Sequence, residues 1–203
     1  MDEKTIIAGS DEAGRGPLAG PVCAATVVLP SDFPFEILND SKKLSEKKRN
    51  EAEKIIKAKA IAWCVSWATP KEIDTINILQ ASLLAMKRSF EDVEKQLTAK
   101  GFTKEQLKLL VDGNKTPSVD VACEAIVKGD AKVHEIMAAS ILAKTARDRF
   151  MLCAAKRWPG YGFEKHKGYP TKAHVEAIQQ LGPCPIHRLT FTYGGKPLFP
   201  SKA

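Results

Sequence analysis

Four carboxylates sit where strand-like runs of this chain end. Asp11-Glu12 follows Ile6-Ile7-Ala8, Asp112 follows Leu109-Leu110-Val111, and Asp130 follows a run over residues 119–127. Each stands beside or close to glycine: Gly9 and Gly14, Gly113, Gly129. Acids on turns at strand ends are where α/β sheets build their sites. Carboxylates gathered in this way repel one another unless a cation joins them. Oxygen-only donors favour Mg²⁺ or Mn²⁺ over zinc. Two such ions about 4 Å apart would activate a water and stabilise the leaving oxygen in phosphodiester hydrolysis. The competing reading is that each acid is ordinary turn chemistry. Strand neighbours point to opposite faces. Asp11 and Glu12 therefore share a site only if the chain bends there or one of them acts through its backbone.

The stretch that continues from the first pair is Ala13-Gly14-Arg15-Gly16-Pro17-Leu18-Ala19-Gly20-Pro21. Its glycines permit a bend and a close backbone approach to a ligand. Acids, an arginine and bare N–H groups together could hold a cation and a phosphate. The glycine spacing is wrong for a dinucleotide loop, and Pro17 and Pro21 oppose the helix such a loop opens. No Walker lysine follows it. Cys184-Pro185-Ile186-His187 lacks further ligands for a metal and reads as structural.

The chain has 203 residues, of which 44% are hydrophobic and 27% charged, in the range of a globular protein. No run reaches transmembrane length, and Met1-Asp2-Glu3-Lys4 does not open a signal peptide. The five cysteines are scattered, with no CxxC pair. They read as buried thiols of a reducing compartment, which points to the cytoplasm. The net charge is +7 and is unevenly placed: from Leu142 onward stand 11 of the 31 Lys+Arg but only 3 of the 24 Asp+Glu. So basic a segment suggests a polyanionic partner, most simply nucleic acid. The alternative is a solubilising lysine surface.

The elements that must position these residues follow from periodicity. Strands are expected over residues 6–8, 21–29, 60–68, 107–111 and 119–127, the second nearly all apolar. Helices are expected over about 46–59 with Ser45 as N-cap, in a short segment from Pro70, over about 77–97, over about 134–157, and up to Leu181. The predicted class is an α/β sheet with helical cover.

Taken together, several motifs resemble those of the ribonuclease HII family, bacterial members more than archaeal ones. They are Asp11-Glu12-Ala13-Gly14-Arg15-Gly16, Asp40-Ser41-Lys42-Lys43-Leu44, Val111-Asp112-Gly113, Lys128-Gly129-Asp130, Ala139-Ser140-Ile141-Leu142-Ala143-Lys144, Arg147-Asp148 and His166-Lys167-Gly168-Tyr169-Pro170-Thr171. The related ribonuclease HIII has Thr where Arg15 stands and an extra N-terminal domain. The resemblance implies a ribonuclease H-like fold, a five-stranded mixed sheet flanked by helices with a small helical C-terminal part. Residues 1–158 would be the catalytic core, and 159–203 a basic substrate-binding extension of the same domain. It implies cleavage of RNA in RNA–DNA hybrids and 5′ to single ribonucleotides in duplex DNA, leaving 3′-hydroxyl and 5′-phosphate ends. Asp11, Glu12, Asp112 and Asp130 match the family's metal-binding carboxylates, with two Mg²⁺ or Mn²⁺ ions. Gly14-Arg15-Gly16 matches the loop that reads the 2′-hydroxyl, and Tyr169 the tyrosine that stacks on the next, deoxy sugar. A monomer without membrane contact is expected, and a replication clamp is a conceivable partner.

Physical reading runs parallel. The 2′-hydroxyl is the handle that marks a ribonucleotide within DNA. Lys42, Lys43, Lys144, Lys167 and Arg188 are candidate phosphate contacts, which position a duplex without reading its sequence. Ser140 and Lys144 lie one helical turn apart and face the same side. Two rivals remain: another two-metal phosphoryl transferase of the same fold, such as a resolvase or integrase, and a non-catalytic nucleic-acid-binding module. Clustered acids argue against the second, because they repel phosphates.

Overall fold

In the computed structural model, which describes residues 5–38, 41 and 44–199, the apolar run after Pro21 becomes strand β2 (Val22–Val28), with every residue buried. Its side chains alternate between two clusters. Val22, Ala24 and Val28 join one, and Cys23, Ala25 and Val27 the other. The sheet is thus covered on both faces, and this is why the strand reads as a continuous apolar run. Strand β1 (Ile6–Ala13) lies at the centre of the order β3-β2-β1-β4-β5, with β3 (Ala62–Ala68), β4 (Leu107–Asp112) and β5 (Ala122–Ile126). Pairing is antiparallel from β1 to β2 and from β2 to β3, and parallel from β1 to β4 and from β4 to β5. The mixed five-stranded sheet implied by the resemblance is present.

Helix α1 (Glu46–Lys59) starts as expected, with the Ser45 hydroxyl accepting the Lys48 N–H. Helix α2 (Pro70–Thr98) opens with a capping box in which Thr69 and Glu72 satisfy each other's backbone N–H. It is broken at Asn77, whose φ is 65°. The Asn77 side-chain oxygen accepts the N–H groups of Leu79 and Gln80 and so restarts the helix. α2 packs Met86, Phe90, Val93 and Leu97 on one face of the sheet. Helix α3 (His134–Arg157) and α1 cover the other. α3 lies almost against β1, since a Cβ at Gly9 would stand 2.3 Å from the Glu135 carbonyl carbon.

The C-terminal part holds α4 (Phe163–His166), α5 (Lys172–Leu181) and a small ribbon of β6 (Thr192–Tyr193) with β7 (Lys196–Pro197). It packs Phe163, Val175, Ile178, Ile186 and Phe199 against Leu18, Ala19 and Met151 of the preceding chain. Asp74 of α2 accepts the Leu189 and Thr190 N–H groups and holds the tail down. Sequence reading differs here. The fifth strand starts at Ala122 rather than residue 119, and it is an edge strand. The four-residue α4 and the ribbon escaped, because both are too short to show a periodicity.

The C-terminal part is also threaded by buried histidines. The Cys184 N–H donates to Nδ1 of His187 (2.9 Å), so the proton of His187 lies on Nε2 and points at Nε2 of His174 (3.1 Å). The remaining His174 proton, on Nδ1, then donates to the Tyr169 carbonyl (3.0 Å). This bonding pattern requires both rings to be neutral. Burial holds both at about 4, against an ordinary 6.5. Between those values the unfolded chain binds more protons than the folded one, so stability is complete above about 6.5 and falls as pH drops toward 4. The contribution of this pair to the unfolding free energy should fall from pH 7 to pH 5, with a slope of up to about 1.4 kcal/mol per pH unit for each histidine, and its imidazole NMR signals should not titrate in that range. Signals of His174 and His187 that titrate near 6.5 would contradict the neutral pair.

Candidate active site

The three parallel strands β1, β4 and β5 carry their carboxyl ends to the same edge of the sheet. In the β1–β4 register Ser10 lies opposite Val111, so the next residues, Asp11 and Asp112, are brought side by side. β5 ends at Ile126, and a single 3₁₀ turn (Gly129–Ala131) then swings Asp130 back toward them. One carboxylate oxygen from each of Asp11, Asp112 and Asp130 lies within 4.8 Å of the others. Asp112 is held by the backbone N–H of Gly129, which donates to its Oδ1 at 2.7 Å. Lys128, in a left-handed conformation (φ 58°), turns the chain so that this bond can form.

Asp11 is buried, and its Oδ1 accepts the Glu12 N–H at 2.6 Å. Burial above all, and then the negative charges of Glu12 and Asp112, push its carboxyl well above the usual carboxylate range. The Ser140 hydroxyl opposes this shift. Glu12 is also raised, chiefly by burial, against the pull of Arg15. β1 stays extended through Ala13, so Glu12 does not join Asp11 by a bend. Its Oε1 accepts from Arg15 Nη1 at 3.2 Å, beside the cluster rather than within it.

Asp11, Glu12, Arg15 and Asp112 line a cleft of about 450 Å³ together with Gly14, Gly16, Ser41, Ser140, Lys144, Arg147 and Tyr169. Ser140 and Lys144 do share a face. Ser140 bonds the Ser41 hydroxyl at 2.8 Å, and Lys144 pairs with Asp148 at 2.7 Å. Tyr169 is 43% exposed, on a loop at the rim. Lys167 is absent from the lining. Its ammonium donates to the Glu164 carbonyl, and its own carbonyl accepts from Arg147. Lys42 and Lys43 lie outside the described residues.

Arg188 corrects an expectation. It is not a surface phosphate contact but a fully buried group. Its guanidinium donates to the carbonyls of Gly14, Arg15 and Gly20. Burial, then the neighbouring Arg147 charge, lowers it to about 9. Arg147 is buried likewise. Two of the cations that make the last third so basic therefore brace the 14–21 loop from inside. Sequence reading set the motif Arg147-Asp148 down without a role. The available signal was spacing, because Ser140, Lys144 and Arg147 fall on one helical face.

A family model described as ribonuclease HII matches residues 8–193. The ribonuclease HII of Dechloromonas aromatica is 51% identical over 186 residues, covering 92% of this chain and 90% of that protein. That of Neisseria meningitidis serogroup C is 52% identical over 187 residues, covering 92% of each. The solved ribonuclease H2 of Pyrococcus horikoshii matches this structure with a TM-score of 0.67 at 27% identity, over 92% of this chain and 94% of the other.

The two loop glycines should respond differently to substitution. A Cβ on Gly14 would lie 2.0 Å from Nε of Arg147, at a φ of +96° that side chains rarely adopt. On Gly16 it would meet only the Tyr169 ring, at 3.7 Å. Gly14→Ala should therefore cost roughly 2–5 kcal/mol, from overpacking and the left-handed backbone together. Gly16→Ala should unfold like the wild type. Equal thermal midpoints for the two variants would contradict this packing.

Proposed function

This chain belongs to the ribonuclease HII family and is a ribonuclease H endonuclease, and from that premise we propose that it cuts the RNA strand of RNA–DNA hybrids and cleaves 5′ to a single ribonucleotide embedded in duplex DNA. The products would carry 3′-hydroxyl and 5′-phosphate ends, and the tasks served would be ribonucleotide excision repair and primer removal. The carrying observation is that Asp11, Asp112 and Asp130 meet within 4.8 Å, and that Asp11 and Asp112 line one cleft with the 14–16 loop and Tyr169.

The donor set fits a hard cation. It is all oxygen and it concentrates negative charge; the charges of Glu12 and Asp112 add to the burial that raises Asp11. Asp11, Asp112 and Asp130, flanked by Glu12, would hold Mg²⁺ or Mn²⁺. Two such ions, when bound, supply an activated water and stabilise the leaving oxygen. The remaining work falls to the chain itself. The backbone of Gly14-Arg15-Gly16 can approach the 2′-hydroxyl of the ribonucleotide, the group that separates it from its DNA neighbours. Tyr169 would pack on the following deoxyribose. Lys144, with Lys42 and Lys43, would position the phosphates without reading sequence. The assignment of Lys167 to phosphate is weakened by its bond to the Glu164 carbonyl.

The direct test is incubation of duplex DNA carrying one ribonucleotide with and without Mg²⁺ or Mn²⁺. A cut 5′ to the ribonucleotide that needs the ion is the expected result, and an intact duplex in both would overturn the reading. Asp112→Asn keeps the acceptor for Gly129 but removes a charge. It should lower kcat on the order of a thousand-fold or more with substrate affinity little changed. Near-normal turnover would remove Asp112 from the metal site.

A pH dependence follows from the same cluster. Because the Asp11 carboxyl is held above its ordinary range, mainly by burial, a proton competes with a cation for it to higher pH than for an ordinary carboxylate. Apparent Mn²⁺ affinity should therefore rise with pH above the normal carboxylate range. Calorimetry in buffers of different ionisation enthalpy should detect proton release on binding. A Mn²⁺ affinity that stays constant across and above the normal carboxylate range would contradict the raised carboxyl.

A further inference from the structure

We infer that Arg147 is the residue that registers the two sugar-reading contacts against each other, and so is a specificity-positioning residue for cleavage at a single ribonucleotide. The inference rests on the reading above, in which the 14–16 loop meets the ribose and Tyr169 the next sugar. Arg147 is 1% exposed, and its three side-chain hydrogen bonds go to main-chain carbonyls on two separate segments. Nε donates to Pro21 at 3.2 Å and Nη2 to Ala19 at 3.1 Å, both on the loop that continues from Gly16. Nη1 donates to Lys167 at 3.1 Å, two residues before Tyr169. The guanidinium carbon stands 5.9 Å from the centre of the Tyr169 ring. The adjacent carboxylate, Asp148, pairs with Lys144 and Arg49.

A buried charge is a poor way merely to fill space, because apolar residues of similar volume often serve stability as well or better. What a guanidinium adds is a rigid fork of donors that can hold two segments at a fixed separation. Arg188 is the internal comparison. Its three side-chain bonds, to Gly14, Arg15 and Gly20, stay within one loop. Arg147 alone of the two joins that loop to the Tyr169 turn. One backbone bond, Leu18 N–H to the Gly168 carbonyl at 2.8 Å, crosses the same seam. There the packing is tight: a Cβ on Gly168 would stand 2.6 Å from the Ala19 carbonyl oxygen.

A hybrid substrate presents ribose at every position of the cut strand, so it gives Tyr169 no deoxyribose to select. A single ribonucleotide in DNA needs both contacts at their correct spacing. The quantity to read is therefore the ratio of kcat/KM on the single-ribonucleotide duplex to kcat/KM on the hybrid, in one buffer with Mn²⁺. Arg147→Lys keeps the charge but cannot span the seam. Gly168→Ala keeps Arg147 but wedges the seam open from the other side. Each should lower the ratio roughly ten-fold, since an ångström of misplacement can cost about a hundred-fold in rate. Tyr169→Ala should lower it too, and adding Arg147→Lys to Tyr169→Ala should lower it no further.

Equal loss on both substrates in Arg147→Lys, or losses of the ratio that multiply in the double variant, would overturn the inference. If Arg147→Lys or Gly168→Ala melts near the assay temperature, all variants are assayed below the lowest of their thermal midpoints and the same criteria decide. Failure of the underlying reading looks different: Tyr169→Ala would leave the ratio at the wild-type value, and the inference would fall with it.

Discussion

The structure depends on holding like charges together. Asp11, Asp112 and Asp130 each place an oxygen within 4.8 Å of the others, and in the absence of a cation such groups repel. Backbone geometry opposes the repulsion. Parallel pairing of β1 with β4 fixes Asp11 beside Asp112, and the β4–β5 pairing brings the turn with Asp130 alongside. The Gly129 N–H then pins one Asp112 oxygen. The sheet that carries these acids is held by apolar contacts on both faces, where Leu109 and Val111 of β4 meet α2 residues and Ala25 and Val27 of β2 meet α3. The burial that stabilises the sheet is thus also what raises the Asp11 carboxyl.

A second constraint acts on the loop beside the acids. The carbonyls of Gly14, Arg15, Ala19, Gly20 and Pro21 all accept from buried guanidinium groups. With those carbonyls satisfied from inside, the loop keeps one shape without an element of regular structure after Ala13. The C-terminal part belongs to the same arrangement. Arg188 comes from it, Gly20 and Ile186 share a backbone bond, and the histidine chain ends on the Tyr169 carbonyl. Residues far apart in sequence therefore meet on one short loop.

Much of this was legible beforehand. Helix bounds at Glu46–Lys59 and His134–Arg157 agree with those read from Ser45 and from the apolar spacing after Val133. The three acids were marked by their place after apolar runs, and parallel strands do bring such ends together. Three things were not legible. Arg188 looks like any basic tail residue, and only the tertiary fold decides that it is buried under the loop. Asp74 lies near the start of a helix and shows no sign that it will cap residues 189 and 190. The neutral state of His174 and His187 follows from the groups they face, Tyr169 and Cys184, which pattern alone does not pair.

Thermal unfolding of the wild type and of Asp112→Asn, each with and without Mn²⁺, tests the central claim most directly. Asparagine keeps the oxygen that accepts from Gly129 and removes one of the crowded charges. If repulsion among the carboxylates is the stored cost of the site, the variant without ion melts above the wild type, and Mn²⁺ raises the wild type far more than the variant. A variant that melts below the wild type, with an equal Mn²⁺ shift in both proteins, would contradict the account.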